Sequence, residues 1–121
     1  MSQKFFENKK EITLLFKSLE NSYDGILALD IDYKILYANS AIKKMFGLPL
    51  RDLIGSTAEI ILTKNCLKQI KEKVLKNKTW EGEFCIKQKK GGDLFVWIKA
   101  ALVKNKISSR ILLLFHDINE W

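Results

Sequence analysis

The chain has 121 residues, 47% of them apolar and 11% aromatic, with a formal charge of +7 and two cysteines. That length fits one domain around one core, and the apolar fraction, the few glycines and prolines and the mixed charge speak against disorder. No apolar run reaches the roughly 18 residues that cross a bilayer, the polar start MSQKFFENKKE lacks a secretory hydrophobic stretch, and Cys66 and Cys85 lack the spacing of a zinc site or disulfide framework, so a cytoplasmic protein with two buried thiols is expected.

In EITLLFKSLENSYDG, Ile12, Leu15, Phe16 and Leu19 recur at i, i+3, i+4 and i+7, the stripe of an amphipathic helix ending at the turn formers Asn21, Ser22, Asp24 and Gly25. ILALD and IDYKILYA read as a hairpin around DIDY, where Asp30 and Asp32 serve the turn's own backbone rather than a metal. In YANSAIKKMFG, Asn39 stands where strand becomes helix and can accept a backbone N–H as an N-cap, shared with Ser40, while Ala41, Ile42, Met45 and Phe46 turn inward and Gly47 ends the helix. Pro49 and Gly55 bracket a short turn or helix, and STAE, with Ser56 as cap and Glu59 reaching back, predicts a helix from near Thr57. TKNCLKQIKEKVLKNK keeps Leu67, Ile70 and Val74 on one face and lysines on the other, which explains most of the charge without a partner.

From Thr79 the pattern alternates. WEGEFCIKQ puts Trp80, Gly82, Phe84 and Ile86 on one strand face and Glu81, Glu83 and Lys87 on the other. KKGGD supplies a hairpin turn, and LFVWIKAALV and RILLLFHDI complete an antiparallel meander around KNKIS. These last strands are apolar on both parities, so both faces of the sheet need a cover.

The parts of a catalytic centre are missing from the pattern. His116 is the one histidine, Asp117 beside it points to the opposite face of a strand, and no serine or cysteine stands in a nucleophile motif. Arg51 and Arg110 are the only arginines and the aromatics are spaced for packing, so the lysines read as a solvated face rather than a nucleic-acid surface.

SYDGILALDIDYKILYANSAIKKMFGLPLRDLIG, WEGEF and LLLFHDINEW, in this order, resemble the first half, the third strand and the last strand with exit motif of the PAS sensor family, over residues 20–121. The resemblance implies an α+β fold: a five-stranded antiparallel sheet in the order 2-1-5-4-3, with helices over one face around a small-molecule pocket. It divides the chain into a flanking helix at 1–20, a PAS domain at 21–119 and the start of an exit linker at 120–121. Departures fall at Tyr33, where the family often has glycine, at Ser40, where it often has proline, and at Asn119, where the exit motif commonly reads Asp-Ile-Thr.

By strand parity and family position, the pocket candidates are Leu29, Met45, Phe46, Leu67, Ile70, Val74, Phe84, Ile86, Ile98, Leu112 and Leu114. Such an apolar set suits a hydrophobic small molecule, or a solid core with no ligand. Asn39, Gly47 and Asp117 are the structural and signalling positions, and Ile12, Leu15, Phe16 and Leu19 with Trp97 form the implied homodimer surface. Haem-binding relatives use a histidine from the helix matching Lys64–Lys76, which has none here; Met45, Cys66 and His116 are poor substitutes. NCLKQI at Asn65–Ile70 lacks the Arg-Phe-Leu-Gln that completes the flavin-binding motif, and the late strands lack the polar residues that hold a flavin ring, so no cofactor is expected. The implied role is a sensory or interaction module of a bacterial or archaeal signalling protein. It would relay a conformational change to a covalently linked kinase, cyclase or transcriptional domain, with no membrane insertion. The alternative is a ligand-free dimerisation scaffold.

Overall fold

The computed structural model describes residues 17, 18, 20–87, 92–104 and 106–118. The alternating segments form five strands: β1 (Gly25–Asp30), β2 (Ile35–Ala38), β3 (Thr79–Lys87), β4 (Asp93–Lys104) and β5 (Ser109–Asp117). They pair antiparallel in the order β2-β1-β5-β4-β3, the order that the family resemblance implies. Helices α1 (Ser40–Phe46), α2 (Leu50–Leu53) and α3 (Lys64–Asn77), with a 3-10 turn at Ala58–Ile60, connect β2 to β3 and cover one face. The helical stripe Ile12, Leu15, Phe16 and Leu19 lies outside the described residues, as do most of the KKGGD turn and the exit segment from 119 onward.

Register decides what faces the helices. Ile98 pairs with Phe115 and Ala100 with Leu113, while Leu27 and Leu29 oppose Leu113 and Ile111, so these residues share one face. All are buried there with Leu67, Ile70 and Val74 of α3. Phe46 meets Phe115 edge to face at 5.8 Å between ring centroids, an arrangement that the ring quadrupoles favour.

The cap falls one residue later than the capping-box reading places it, and the reciprocal bond from Glu59 is not among the hydrogen bonds of the turn. Thr57, not Ser56, caps the 3-10 turn by accepting from Glu59 N at 3.3 Å, and Ser56 donates its hydroxyl to Asp52 O at 2.7 Å. The cause is tertiary. Residues 55–58 pair with β2 and the turn before it, through Gly55 N to Ile35 O, Ile35 N to Ser56 O and Ala58 N to Tyr33 O, so the Ser56 carbonyl that a cap would offer to the helix is already taken by Ile35. The long helix starts later, capped by Thr63, which accepts from Cys66 N at 3.1 Å.

The β1–β2 turn follows the sequence reading at Asp30, while Asp32 enters its bonding through its backbone N–H. Asp30 Oδ1 accepts from the N–H groups of Asp32 and Lys34, each at 2.9 Å. Tyr33 holds a φ of 71°, a left-handed conformation that glycine adopts without strain. Its backbone is held by the bonds of its N–H to Asp30 O and of its carbonyl to Ala58 N, and from α3 Lys71 Nζ donates to Ile31 O at 2.7 Å and stands 5.3 Å over the Tyr33 ring.

The displaced caps are distinguishable by mutation. Thr63→Ala loses an N-cap and costs about 1 kcal/mol in urea unfolding, whereas Ser56→Ala removes only a partly exposed hydroxyl bond and costs less. A larger loss for Ser56→Ala would overturn the cap assignment.

Candidate functional site

The junction between β2 and α1 is built on Asn39, which is fully buried with a φ of −90° and a ψ of 177°. Its Oδ1 accepts from Ile42 N at 3.3 Å, the cap expected from sequence, and also from Ile26 N at 2.9 Å. Its Nδ2 donates to Asp24 O at 3.0 Å, and its own N–H donates to Ile26 O at 3.1 Å. The side chain therefore stitches α1 to the start of β1 as well as capping the helix. Gly47 closes α1 at a φ of 65°, its N–H bonding Lys43 O at 2.8 Å.

Ser40 does not share that cap. Its hydroxyl donates to Glu20 Oε2 at 3.3 Å, while Tyr37 donates to Glu20 Oε1 at 3.2 Å, so the residue before the domain's first turn is held by β2 and α1 together. Burial, and then the Glu20 carboxylate, push the Tyr37 phenol up to about 12 from its usual 10.0. Next to this contact Asp24 binds His116: Oδ1 and Nδ1 are 2.8 Å apart. Asp24 thus meets Asn39 through its carbonyl and the last residues of β5 through its carboxylate. His116 lies opposite Trp97 on the outer face, and Asp117 opposite Val96 on the inner one, so the two do not form a dyad. Asp117 instead lines a surface cleft of about 630 Å³ with Glu20, Tyr23 and Met45.

A second cleft, of about 310 Å³, opens between the 3-10 turn, α3 and β3. Its apolar wall is Ile61, Leu62, Phe84 and Ile86, Cys66 looks in from α3, and Asn65 and Gln69 stand at the rim. None of its lining residues is charged. Burial pushes the Cys66 thiol up to about 11, which keeps it protonated and poorly nucleophilic at neutral pH.

Of the pocket candidates, Phe84 and Ile86 line this cleft, and Leu29, Leu67, Ile70, Val74 and Ile98 pack behind it in the closed core. Met45 and Phe46 are half-buried against the core from α1. Leu112 and Leu114 are corrected by the register: they pair with Ala101 and Lys99 on the outer face, away from the helices. Ile61, Leu62, Asn65 and Gln69 were not foreseen, because helical period and strand parity do not show that the segment between the 3-10 turn and α3 meets β3. Cys85 is likewise not buried, since it shares the outer face with Phe95, its partner on β4. That face is apolar and partly bare. Trp97 is 36% exposed, Leu112 40% and Phe95 43%, and the Trp97 indole donates to Glu81 Oε1 at 2.8 Å. Among the described residues no helix is long and apolar enough to cross a membrane, and no three His, Cys, Asp or Glu side chains gather as metal ligands.

Three outcomes check this geometry. Asn39→Ala strands backbone groups of Asp24, Ile26 and Ile42, so it costs about 2–4 kcal/mol in urea unfolding rather than the ~1 kcal/mol of a simple cap. A phenol whose folded pKa is raised keeps its stabilising effect below pH 10 and loses it as pH rises toward 12; alkaline titration should show a tyrosinate near pH 12 that is absent in Tyr37→Phe. With a thiol reagent at neutral pH, Cys85 is modified first and Cys66 about tenfold or more slowly; equal rates would contradict the half-buried, protonated Cys66.

The fold has close counterparts. The chain is similar to the PAS domain of a protein from Colwellia psychrerythraea, with a TM-score of 0.80 at 15% identity, over 92% of this chain and 99% of that one. It is similar to a domain of a sensory box sensor histidine kinase/response regulator from Geobacter sulfurreducens, with a TM-score of 0.75 at 18% identity, over 92% and 98% of the two chains. A third counterpart is the PAS domain of a LuxR-family transcriptional regulator from Burkholderia thailandensis, in complex with ethanol, with a TM-score of 0.72 at 14% identity, over 86% and 96%. No curated protein matches the chain in sequence. The model of the PAS fold matches residues 14–118, nearly the whole chain, and with the strand order and helical layer described above this protein belongs to the PAS family.

Proposed function

We propose that this domain is the sensory input of a signalling protein: a small, neutral, mainly apolar molecule enters the cleft between α3 and β3, and the domain passes the resulting shift to a linked output domain. The observation that carries the reading is the cleft itself. Its volume of about 310 Å³ lies at the lower end of ligand-binding pockets, its walls are apolar with two amide side chains at the rim, and it abuts the core cluster. A charged ligand would lose its hydration there without a counter-charge. The domains of a sensor kinase and of a LuxR-type regulator described above support the signalling role.

The route outward runs through the sheet. Occupancy that displaces α3 from β3 acts on β4 and β5 through continuous pairing, and β5 ends at His116 and Asp117 beside the residues where the chain enters the domain. A ligand that prefers one arrangement of these ends shifts the population toward it. The outer face favours a second element of the proposal, a homodimer in which Trp97, Phe95 and Leu112 are covered, with residues 12–19 contributing their apolar stripe. A dimer that binds no ligand is the competing reading.

Native mass spectrometry and thermal melting of the purified chain decide between them. A co-purified small molecule is expected, or a melting temperature raised by one of a panel of small neutral aromatics and alcohols; at 100 times its Kd such a ligand adds about 2.7 kcal/mol. A ligand-free dimer whose melting is unmoved by the panel would leave the scaffold reading standing and remove the sensor.

A further inference from the structure

The charge of this protein is segregated. Residues 40–78, which hold α1, α2, the 3-10 turn and α3, carry nine basic and three acidic residues, a net +6 of the chain's +7. Lys64, Lys68, Lys73, Lys76 and Lys78 are exposed, and their side chains make no ion pair with any described carboxylate; Lys71 is the one lysine of this helix drawn inward, to Ile31 and Tyr33. Along α3, the exposed Lys64, Lys68 and Leu75 fall at i, i+4 and i+11, one line on the helix surface. Leu75 is 54% exposed, and Ile60 and Ile54 in the same layer are about as bare.

The geometry points to this helical layer as a docking surface for an anionic lipid bilayer. Lys64 and Lys68 in line with the exposed Leu75 match both parts of such an interface: ammonium groups meet lipid phosphates, and Leu75 enters the headgroup boundary while the lysine stems reach back to the charged plane. A nucleic-acid duplex suits the surface less well. Its phosphates would attract the lysines but leave Leu75 and Ile60 without a partner. The layer has one arginine, Arg51, for reading base edges, and its single aromatic, Phe46, packs on Phe115 instead of offering a stacking surface. Contact would be adsorption along the length of α3, whose 14 residues span about 21 Å, and not insertion.

The test is co-sedimentation of the whole chain with vesicles of phosphatidylcholine alone and of phosphatidylcholine with phosphatidylglycerol. Binding to the anionic vesicles only is expected, released as ionic strength rises because the charges act across solvent. Each lysine removed should weaken binding about fivefold, so Lys64→Gln with Lys68→Gln lowers it about 25-fold, and Leu75→Ser lowers it several-fold, both with unchanged circular dichroism and melting. Equal binding to both vesicle types, no binding at low salt, or full binding by the double lysine variant would overturn the proposal. Tighter retention on a random DNA duplex, unaffected by Leu75→Ser, would overturn it in favour of nucleic acid.

Discussion

Asn39 lies fully buried between β1 and α1, and one amide bonds backbone groups of Asp24, Ile26 and Ile42 at once. Those bonds set the direction of α1 against the sheet and fix the first residue that β1 can offer to β5. The approach is close. A Cβ on Gly25 would come within 2.6 Å of Ile42 Cδ1, so the strand begins on a residue with no side chain and α1 seats Ile42 directly above it. Gly25 pairs with Phe115, and Phe115 carries the core contact with Phe46, so the amide, the glycine and the two rings form one chain of dependence.

The same region gathers the ends of the domain. Glu20 is held by Tyr37 and Ser40, and Asp24 by Asn39 and His116, so the segment that enters the domain and the strand that leaves it share partners within a few residues. β5 is the middle strand of the sheet: it lies between β1 and β4, and its last pairs with β4 are made by His116 and Asp117. The cleft against α3 stands at the other side of the sheet, over the edge strand β3, where displacement requires breaking one strand's contacts and not two.

Much of this was legible in the residues. Asn39 and Gly47 bracket an amphipathic run of helical spacing, and both cap as their chemistry suggests. The alternation in WEGEFCIKQ placed β3 and its faces correctly, because one parity is charged and cannot be buried. Leu112 and Leu114 failed for the converse reason: with Ile111, Leu113 and Phe115 equally apolar, parity carries no information, and only pairing with β1 and β4 chooses the inner set. Ser56 matched a cap motif that depends on a free N-terminal turn, but its backbone is already taken by the edge of β2.

By itself, then, the sequence determined the elements, their order and the local chemistry of their ends, since period, capping and turn preference act over a few residues. Tertiary structure decided which face each late strand shows to the helices, how one asparagine comes to serve two elements, and which residues between the 3-10 turn and α3 come to line a cleft. These depend on hydrogen bonds and contacts between residues far apart in the chain, such as Asn39 with Asp24, Ser56 with Ile35, and His116 with Asp24, and no local pattern encodes their register.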